Sequence, residues 1–310
     1  MNSEIMRNIA DNVEKVIIGK RRSIELVICS LVCRGHVLIE DVPGVGKTSL
    51  VSSVARSLAC SFNRIQFTPD ILPSDITGFS MYNQKTGEFE FRKGAVMSNI
   101  VLADEINRTS PKTQSSLLEV MEENQVTVDG VTYKAPKPFM VLATQNPVEY
   151  LGTHHLPEAQ LDRFFMKITL GYPSAEEEAV MLERFRSETP MDSLKAVANA
   201  PLILQMQEDV TKIHVDKNLG DYIVSLVSHT RANPDVVLGA SPRASLYLLK
   251  ASQAWAMYNG REYVLPDDVQ AMAESVLSHR LILRQDARLR KVTANDVVEA
   301  AIKNTQVPVV

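Results

Sequence analysis

Residues 37–48 read Val37-Leu38-Ile39-Glu40-Asp41-Val42-Pro43-Gly44-Val45-Gly46-Lys47-Thr48. Three apolar residues enter a loop with two glycines. Lys-Thr then leads into a stretch where Leu50, Val51, Val54 and Leu58 recur at helical spacing. Strand, glycine loop, Lys-Thr and helix form the layout of a phosphate-binding loop, with Asp41 where the usual pattern carries its first glycine. Gly44 and Gly46 let backbone N–H groups turn inward around phosphate oxygens, and the helix N-terminus adds partial positive charge. Lys47 is suited to reach the β- and γ-phosphates, and the Thr48 hydroxyl to bind Mg²⁺. The alternative is a glycine turn before an ordinary helix. It does not account for the strand, Gly-x-Gly-Lys-Thr and helix occurring together.

Working outward, Ile65–Phe67, Ile100–Ala103, Met140–Ala143 and Phe165–Ile168 are further strand-length apolar runs. Several lack clean alternation, which suits strands covered on both faces, as in a parallel sheet. Helical patterns lie between them, so the first ~170 residues predict an α/β layer fold. The run Asn99-Ile-Val-Leu-Ala-Asp104-Glu105 ends in two carboxylates. At the C-terminal end of a parallel strand they face the crevice where such sheets bind ligands. Asp104 would hold Mg²⁺, directly or through water, and Glu105 would polarise an attacking water. A surface Asp-Glu pair is the bland alternative, and its position after a phosphate loop counts against it. The next strand runs into Gln145-Asn146-Pro147. Asn146 could position that water, or the segment could be an Asn-Pro turn. In Leu156-Pro-Glu-Ala-Gln-Leu-Asp162-Arg163-Phe164, Arg163 precedes the last strand. It could complete a neighbouring subunit's site, or form an Asp-Arg surface pair of small energetic consequence. Arg243 lies just inside a predicted helix start. It could reach the γ-phosphate from a second domain, or be solvated.

The chain has 310 residues, 45% apolar and 23% charged, which suggests two globular domains. After Tyr172-Pro173 helical patterns dominate, near 201–213, 218–232, 242–259, 266–283 and 293–303. The expected division is therefore 1–172, an α/β core, and 173–310, a helical lid. The net charge of −4 gives no global reason to expect nucleic acid or an anionic membrane, and 6% aromatic residues argue against a base-stacking surface. No run approaches the ~18 apolar residues of a membrane span, and the N-terminus shows no secretory signal. Three cysteines, Cys29, Cys33 and Cys60, sit in apolar contexts and read as core residues, consistent with a cytoplasmic location. His154-His155 lacks a third ligand at metal spacing. Trp255 and Tyr258 are expected to pack the lid. The basic stretch 280–291 reads as a solvated face or a subunit contact.

Together these residues resemble the AAA+ ATPases, and within them the MoxR family, over essentially the whole chain. Ile18-Gly19-Lys20, the loop at 35–48, Leu102-Ala103-Asp104-Glu105-Ile106-Asn107-Arg108, Thr144-Gln145-Asn146-Pro147 and 156–164 carry the resemblance. In that family Asp or Gly occurs at the position of Asp41. The resemblance implies a five-stranded parallel sheet of order 5-1-4-3-2 and an all-α lid. It implies ATP/ADP and Mg²⁺, with nucleotide contacts from Val42, Pro43, Gly44, Val45, Gly46, Lys47, Thr48 and Ser49, and adenine contacts near Ile18 and Gly19. Thr48 and Asp104 would hold the metal. Glu105 is then the catalytic base, Asn146 the sensor, Arg163 an arginine finger and Arg243 a second sensor. Ring assembly, usually hexameric, and a protein client are further implications, the client being in some cases a von Willebrand factor A domain protein. Two β-hairpin insertions are expected, about 76–93 and 125–138. Asp129-Gly130 between alternating β-formers is a strong hairpin signal. The hairpins are read as facing a pore or a client.

The function expected is Mg-dependent ATP hydrolysis that drives remodelling or maturation of partner proteins. Two alternatives are a nucleic-acid-stimulated motor, disfavoured by the acidic balance, and a nucleotide-gated scaffold with negligible turnover, which needs neither Glu105 nor Arg163.

Overall fold

The computed structural model describes residues 1–146, 154, 156–187 and 190–308. Pro147 and His155 lie outside the described residues.

The chain opens with α1 (Asn2–Glu14) and α2 (Arg21–Val32). In α1, Met6, Ile9, Ala10 and Val13 follow the i, i+3, i+4, i+7 pattern, and all four are buried. β1 (Val37–Glu40), α3 (Lys47–Ser57) and β2 (Phe62–Gln66) follow. A short α4 (Pro73–Thr77) leads into a hairpin of β3 (Gly78–Asn83) and β4 (Glu88–Lys93). Next come β5 (Ile100–Asp104) and α5 (Pro111–Glu123), the latter started by Ser110, whose side chain accepts from the Thr113 N–H. The second hairpin pairs β6 (Gln125–Val128) with β7 (Val131–Lys134). Its turn residues Asp129 and Gly130 both have positive φ, which matches the right-handed twist of the arms. β8 (Met140–Gln145), α6 (Glu158–Leu161) and β9 (Met166–Ile168) complete this part.

Five strands form one parallel sheet in the order β2-β5-β8-β1-β9. Numbered among themselves and read from the β9 edge, that is the expected 5-1-4-3-2. The alternation of side chains divides the burial. Ile39, Leu102 and Leu142 face one side and join α1–α3, whereas Leu38, Val101 and Val141 face the other and join α5. Both faces are covered, so the strands read as continuous apolar runs.

The remainder is helical: α7 (Ala175–Ser187), α8 (Pro190–Ser193), α9 (Ala200–Asp209), α10 (Lys217–Ala232), α11 (Pro242–Tyr258), α12 (Pro266–Leu277), α13 (Gln285–Leu289) and α14 (Ala294–Asn304). One antiparallel pair, β10 (Val236–Leu238) with β11 (Ile282–Leu283), interrupts it. The helix expected over 266–283 therefore stops at Leu277, passes through a 3₁₀ turn at Ser278–Arg280 and becomes strand. The basic stretch 280–291 also needs correcting at its first residue. The Arg280 side chain is 1% exposed, while Arg284, Arg288, Arg290 and Lys291 are exposed as expected. Among the described residues no helix is long and apolar enough to cross a membrane.

The larger apolar cluster runs without a break from α1–α3 into α9–α12. Trp255 and Tyr258 serve that junction rather than the interior of the helical part. Their rings stack at 5.2 Å, the Arg22 guanidinium lies 4.2 Å from the Trp255 ring centre, and Tyr258 donates to Glu25. Cys29 is fully buried, whereas Cys33 and Cys60 are only partly covered.

His36 fixes one end of the sheet. Its Nδ1 accepts the Val141 N–H at 2.9 Å, so Nε2 carries the proton and donates to the Met121 carbonyl at 2.9 Å. Burial pushes its pKa down from 6.5 to about 4. The neutral ring's contribution to stability is fully present above pH 6.5 and is lost as pH falls toward 4, amounting to about 3 kcal/mol. Unfolding free energy in urea should decline over that window, and His36→Gln, which preserves a donor and an acceptor, should flatten the decline. An unchanged slope in the variant would remove His36 from the account. His279, also buried and pushed down, supplies part of what remains.

Candidate functional site

The loop between β1 and α3 is shaped by its glycines. Gly44 and Gly46 have φ of +87° and +89°. A Cβ at Gly44 would meet nothing within 4 Å, so backbone conformation rather than space demands glycine there. Gly46 is the left-handed cap from which α3 starts. Lys47, the first residue of α3, folds its ammonium back onto the carbonyls of Asp41 at 2.7 Å and Val42 at 3.2 Å. Burial lowers its pKa, opposed by the charges of Asp41, Asp104 and Glu105.

The carboxyl ends of β5, β8 and β2 face this loop. Asp104, 8% exposed, accepts from the Thr144 hydroxyl at 2.6 Å and from Arg64 at 2.6 Å. The same Thr144 oxygen accepts the Glu105 N–H at 2.8 Å, so one hydroxyl positions both acidic residues. Glu105 sits at φ +57°, a conformation that costs a non-glycine residue about 1–2 kcal/mol and turns its side chain out of the strand direction. Its carboxylate accepts from Gln66 at 2.9 Å and Arg108 at 2.8 Å. The Asn146 carbonyl accepts from Asn107 at 3.5 Å. A cavity of about 420 Å³ is lined by Pro43, Gly44, Gly46, Lys47, Thr48, Ser49, Arg64, Gln66, Asp104, Glu105 and Asn146. Larger clefts of about 660 and 760 Å³ exist near the N-terminus and beside Pro136, but neither gathers a glycine loop with strand-end carboxylates. Cations and carboxylates around hard oxygen donors fit a metal-bound polyphosphate. Thr48 and Asp104 are oxygen donors in this lining that could hold a metal ion, and the Asp104 carboxylate already pairs with a cation, the Arg64 guanidinium.

Six expected residues do not line this cavity: Val42 and Val45 sit in the glycine loop itself, and the other four lie farther off. Ile18 and Gly19 belong to the α1–α2 loop, where Gly19 makes room for the Glu177 carboxylate of α7. The loop borders the phosphate loop through Ile17, whose Cδ1 is 3.7 Å from where a Gly46 Cβ would be. Arg163 and Arg243 are brought together elsewhere, both on Glu122, at 3.2 and 2.8 Å. Arg243, read from the sequence as reaching a γ-phosphate from the second domain, therefore lines a different cleft from Lys47 within the chain. The cause is the helix cap: Ser241 starts α11 and also donates to Asp162 at 3.0 Å, which holds the first turn of α11 beside Arg163. Arg163, Arg243, Arg34 and Lys250 line a separate cleft of about 340 Å³ with Glu122, an excess of positive charge.

Asp162 is fixed further by buried Arg280, whose Nε donates to it at 2.9 Å and whose Nη2 donates to the carbonyls of Asp162 and Phe164. Arg64, Gln66, Thr144, Glu122 and Arg280 were not anticipated. A signal existed for two of them. Asn63-Arg64-Ile65-Gln66 alternates polar and apolar, and parallel register sets Gln66 beside Asp104.

Residues 36–166 match the family model described as the ATPase family associated with various cellular activities (AAA), and 228–301 match the AAA lid domain. The chain is 50% identical to the uncharacterised protein YeaC of Bacillus subtilis, over 96% of this chain and 93% of that one. It is 42% identical to the chaperone MoxR1 of Mycobacterium tuberculosis, over 96% and 80%. A crystal structure of a candidate ATPase from Cytophaga hutchinsonii superposes with a TM-score of 0.93 at 38% identity, over 99% of this chain and 96% of that one.

Arg280→Ala should cost about 3–5 kcal/mol of unfolding free energy, because it leaves Asp162 without its buried cation. Arg280→Lys should recover part of that loss. Urea unfolding of both variants checks this, and a near-neutral Arg280→Ala would show that water replaces the guanidinium.

Proposed function

The chain belongs to the MoxR family of AAA+ ATPases, and from that premise we propose that it hydrolyses ATP with Mg²⁺ as part of a ring and uses the cycle to remodel or mature partner proteins. The observation that carries the hydrolytic reading is the convergence of Lys47, Thr48, Asp104, Glu105 and Asn146 on one cavity. Val42 to Ser49 bind the phosphates, through backbone N–H groups, the N-terminus of α3 and the Lys47 ammonium. Lys47 gives up two carbonyl partners to do so, which a polyphosphate repays with full charge. Thr48 and Asp104 hold the metal, which supplies charge neutralisation across the phosphates when bound. Glu105 takes the proton of the attacking water, and Asn146 orients that water. Ile18 and Gly19 lie on the adenine side.

Arg163 is the residue that acts across subunits. In its own chain it lies with Arg243 in the second, positively charged cleft. That placement favours a reading in which the cleft meets a neighbour's γ-phosphate, with Glu122 holding both guanidiniums until then. A hexamer is the ring proposed. We divide the chain into an ATPase core at 1–172 and a lid at 173–310, and assign it to the cytoplasm.

The client side falls to the hairpins. Phe91 of β4 stacks on Tyr133 of β7 at 3.9 Å, which ties the two hairpins together. Phe79, Met81, Tyr82 and Phe89 remain exposed on the first, Phe89 at 74%. Phe79 and Met81 lie on one face of that hairpin and the Tyr82–Phe89 pair on the other, and exposed apolar residues of this kind suit contact with a protein, a von Willebrand factor A domain among the clients proposed.

Glu105→Gln should keep ATP binding and lower steady-state turnover about a hundredfold or more. Lys47→Ala should abolish binding by calorimetry, and unchanged affinity would overturn the phosphate-loop assignment. Arg163→Ala should bind ATP and hydrolyse slowly, and mixing it with Lys47→Ala protein should restore part of the activity. Confirmed mixed rings without any rescue would count against action across subunits.

A further inference from the structure

Asp41 replaces the first glycine of the phosphate-loop pattern, and its side chain leaves that loop altogether. It is 7% exposed. One carboxylate oxygen accepts the N–H groups of Leu170 at 2.6 Å and Gly171 at 2.7 Å, and the other accepts the Val42 N–H at 2.9 Å. Leu170 and Gly171 follow β9 and precede Tyr172-Pro173, where the sheet-bearing part of the chain passes into α7. Gly171 has φ +65°, and a Cβ there would meet nothing within 4 Å, so the joint uses glycine for backbone freedom. A glycine at position 41 could make none of these side-chain bonds.

The main chain of Asp41 is committed in other directions. Its N–H donates to the Gln145 carbonyl at 3.2 Å, which extends the β1–β8 pairing toward Asn146. Its carbonyl accepts the Lys47 ammonium at 2.7 Å. One residue therefore touches the phosphate-loop lysine, the end of the strand that carries Asn146, and the joint between the two parts of the chain.

From this we infer that Asp41 is a positioning residue that transmits occupancy of the phosphate loop to the core–lid joint. The inference rests on the nucleotide reading above. When Lys47 turns to phosphate, the Asp41 carbonyl loses its cation, and the peptide that carries the buried carboxylate is free to shift. Two joint N–H groups move with that carboxylate, because they are buried or half-buried and its oxygen is the acceptor they hold. A rotation of the Asp41 backbone is thereby converted into a change at Gly171, the joint's most permissive residue.

The experiment is hydrogen exchange by mass spectrometry on the full chain, without nucleotide and with Mg²⁺ and ADP or a non-hydrolysable ATP analogue. Two segments are followed, 42–50 and 168–175. In the wild type both should respond to nucleotide. In Asp41→Gly the loop segment should still gain protection, while the joint segment exchanges fast and stops responding. KM for ATP should stay within about threefold and kcat should fall about fivefold or more, the pattern of a lost coupling rather than lost binding. Asp41→Ser, one atom shorter and with a single oxygen, serves if Asp41→Gly loses its cooperative melt. A joint that responds as in the wild type in either folded variant overturns the inference. A wild-type joint that ignores nucleotide while the loop is protected overturns it too. No loop protection in the wild type would sink the nucleotide reading itself, and the inference with it.

Discussion

Parallel pairing of β1 with β8, and of β8 with β5, sends three strands out of the same edge of the sheet. Whatever follows their last residues is delivered to one crevice. Asp41 and the glycine loop follow β1, Glu105 follows β5, and Asn146 follows β8. The loop, the acids and the amide come from three segments far apart in the sequence. The hydrogen-bond register between strands holds the phosphate loop, the acids and the amide at common height. A strand slipped by one residue would exchange Asp104 for a neighbour aimed at the opposite face. Both faces of the sheet are packed with apolar side chains, and this packing enforces the register that the site depends on.

Within that frame small polar groups do the local alignment. Thr144 uses one hydroxyl as donor to Asp104 and acceptor from Glu105. The strained turn at Glu105 is tolerated because that bond and the buried strand behind it fix the backbone. Gln66 and Arg108 then hold the Glu105 carboxylate from the side. Asp41 does for the main-chain path what Thr144 does for the acids, and Arg280 with Ser241 does it for the residue before Arg163. In each case a side chain binds backbone groups or a carboxylate from another element. The result is alignment across the fold at the cost of one or two hydrogen bonds.

The architecture and the shape of the glycine loop are legible in the sequence because their causes are local. Gly44, Gly46, Lys47 and Thr48 declare a backbone shape and its chemistry within five residues, and the sheet order follows from the family that those residues resemble. The two-residue turn at Asp129-Gly130 is legible for the same reason. What resists reading is pairing across the chain. Arg243 finds Glu122 at a separation of 121 residues, and Arg280 finds Asp162 at 118. A run of basic residues says nothing about which one turns inward, so Arg280 reads like its neighbours until the 3₁₀ turn at Ser278–Arg280 aims it at the carbonyls of Phe164 and Asp162. The placement of Arg243 resists for a related reason: a cap residue, Ser241, is shared between a helix and a loop from the other part of the chain.

The junction between α11 and the N-terminal helices has an optical consequence. The chain holds one tryptophan, Trp255, and it lies on that junction, stacked on Tyr258 and covered by the Arg22 guanidinium. Indole emission is sensitive to a nearby positive charge and to solvent contact. The protein thus carries its own fluorophore at the seam between α2 and α11, and relative movement of those helices is written into its intrinsic spectrum, with no dye or added cysteine.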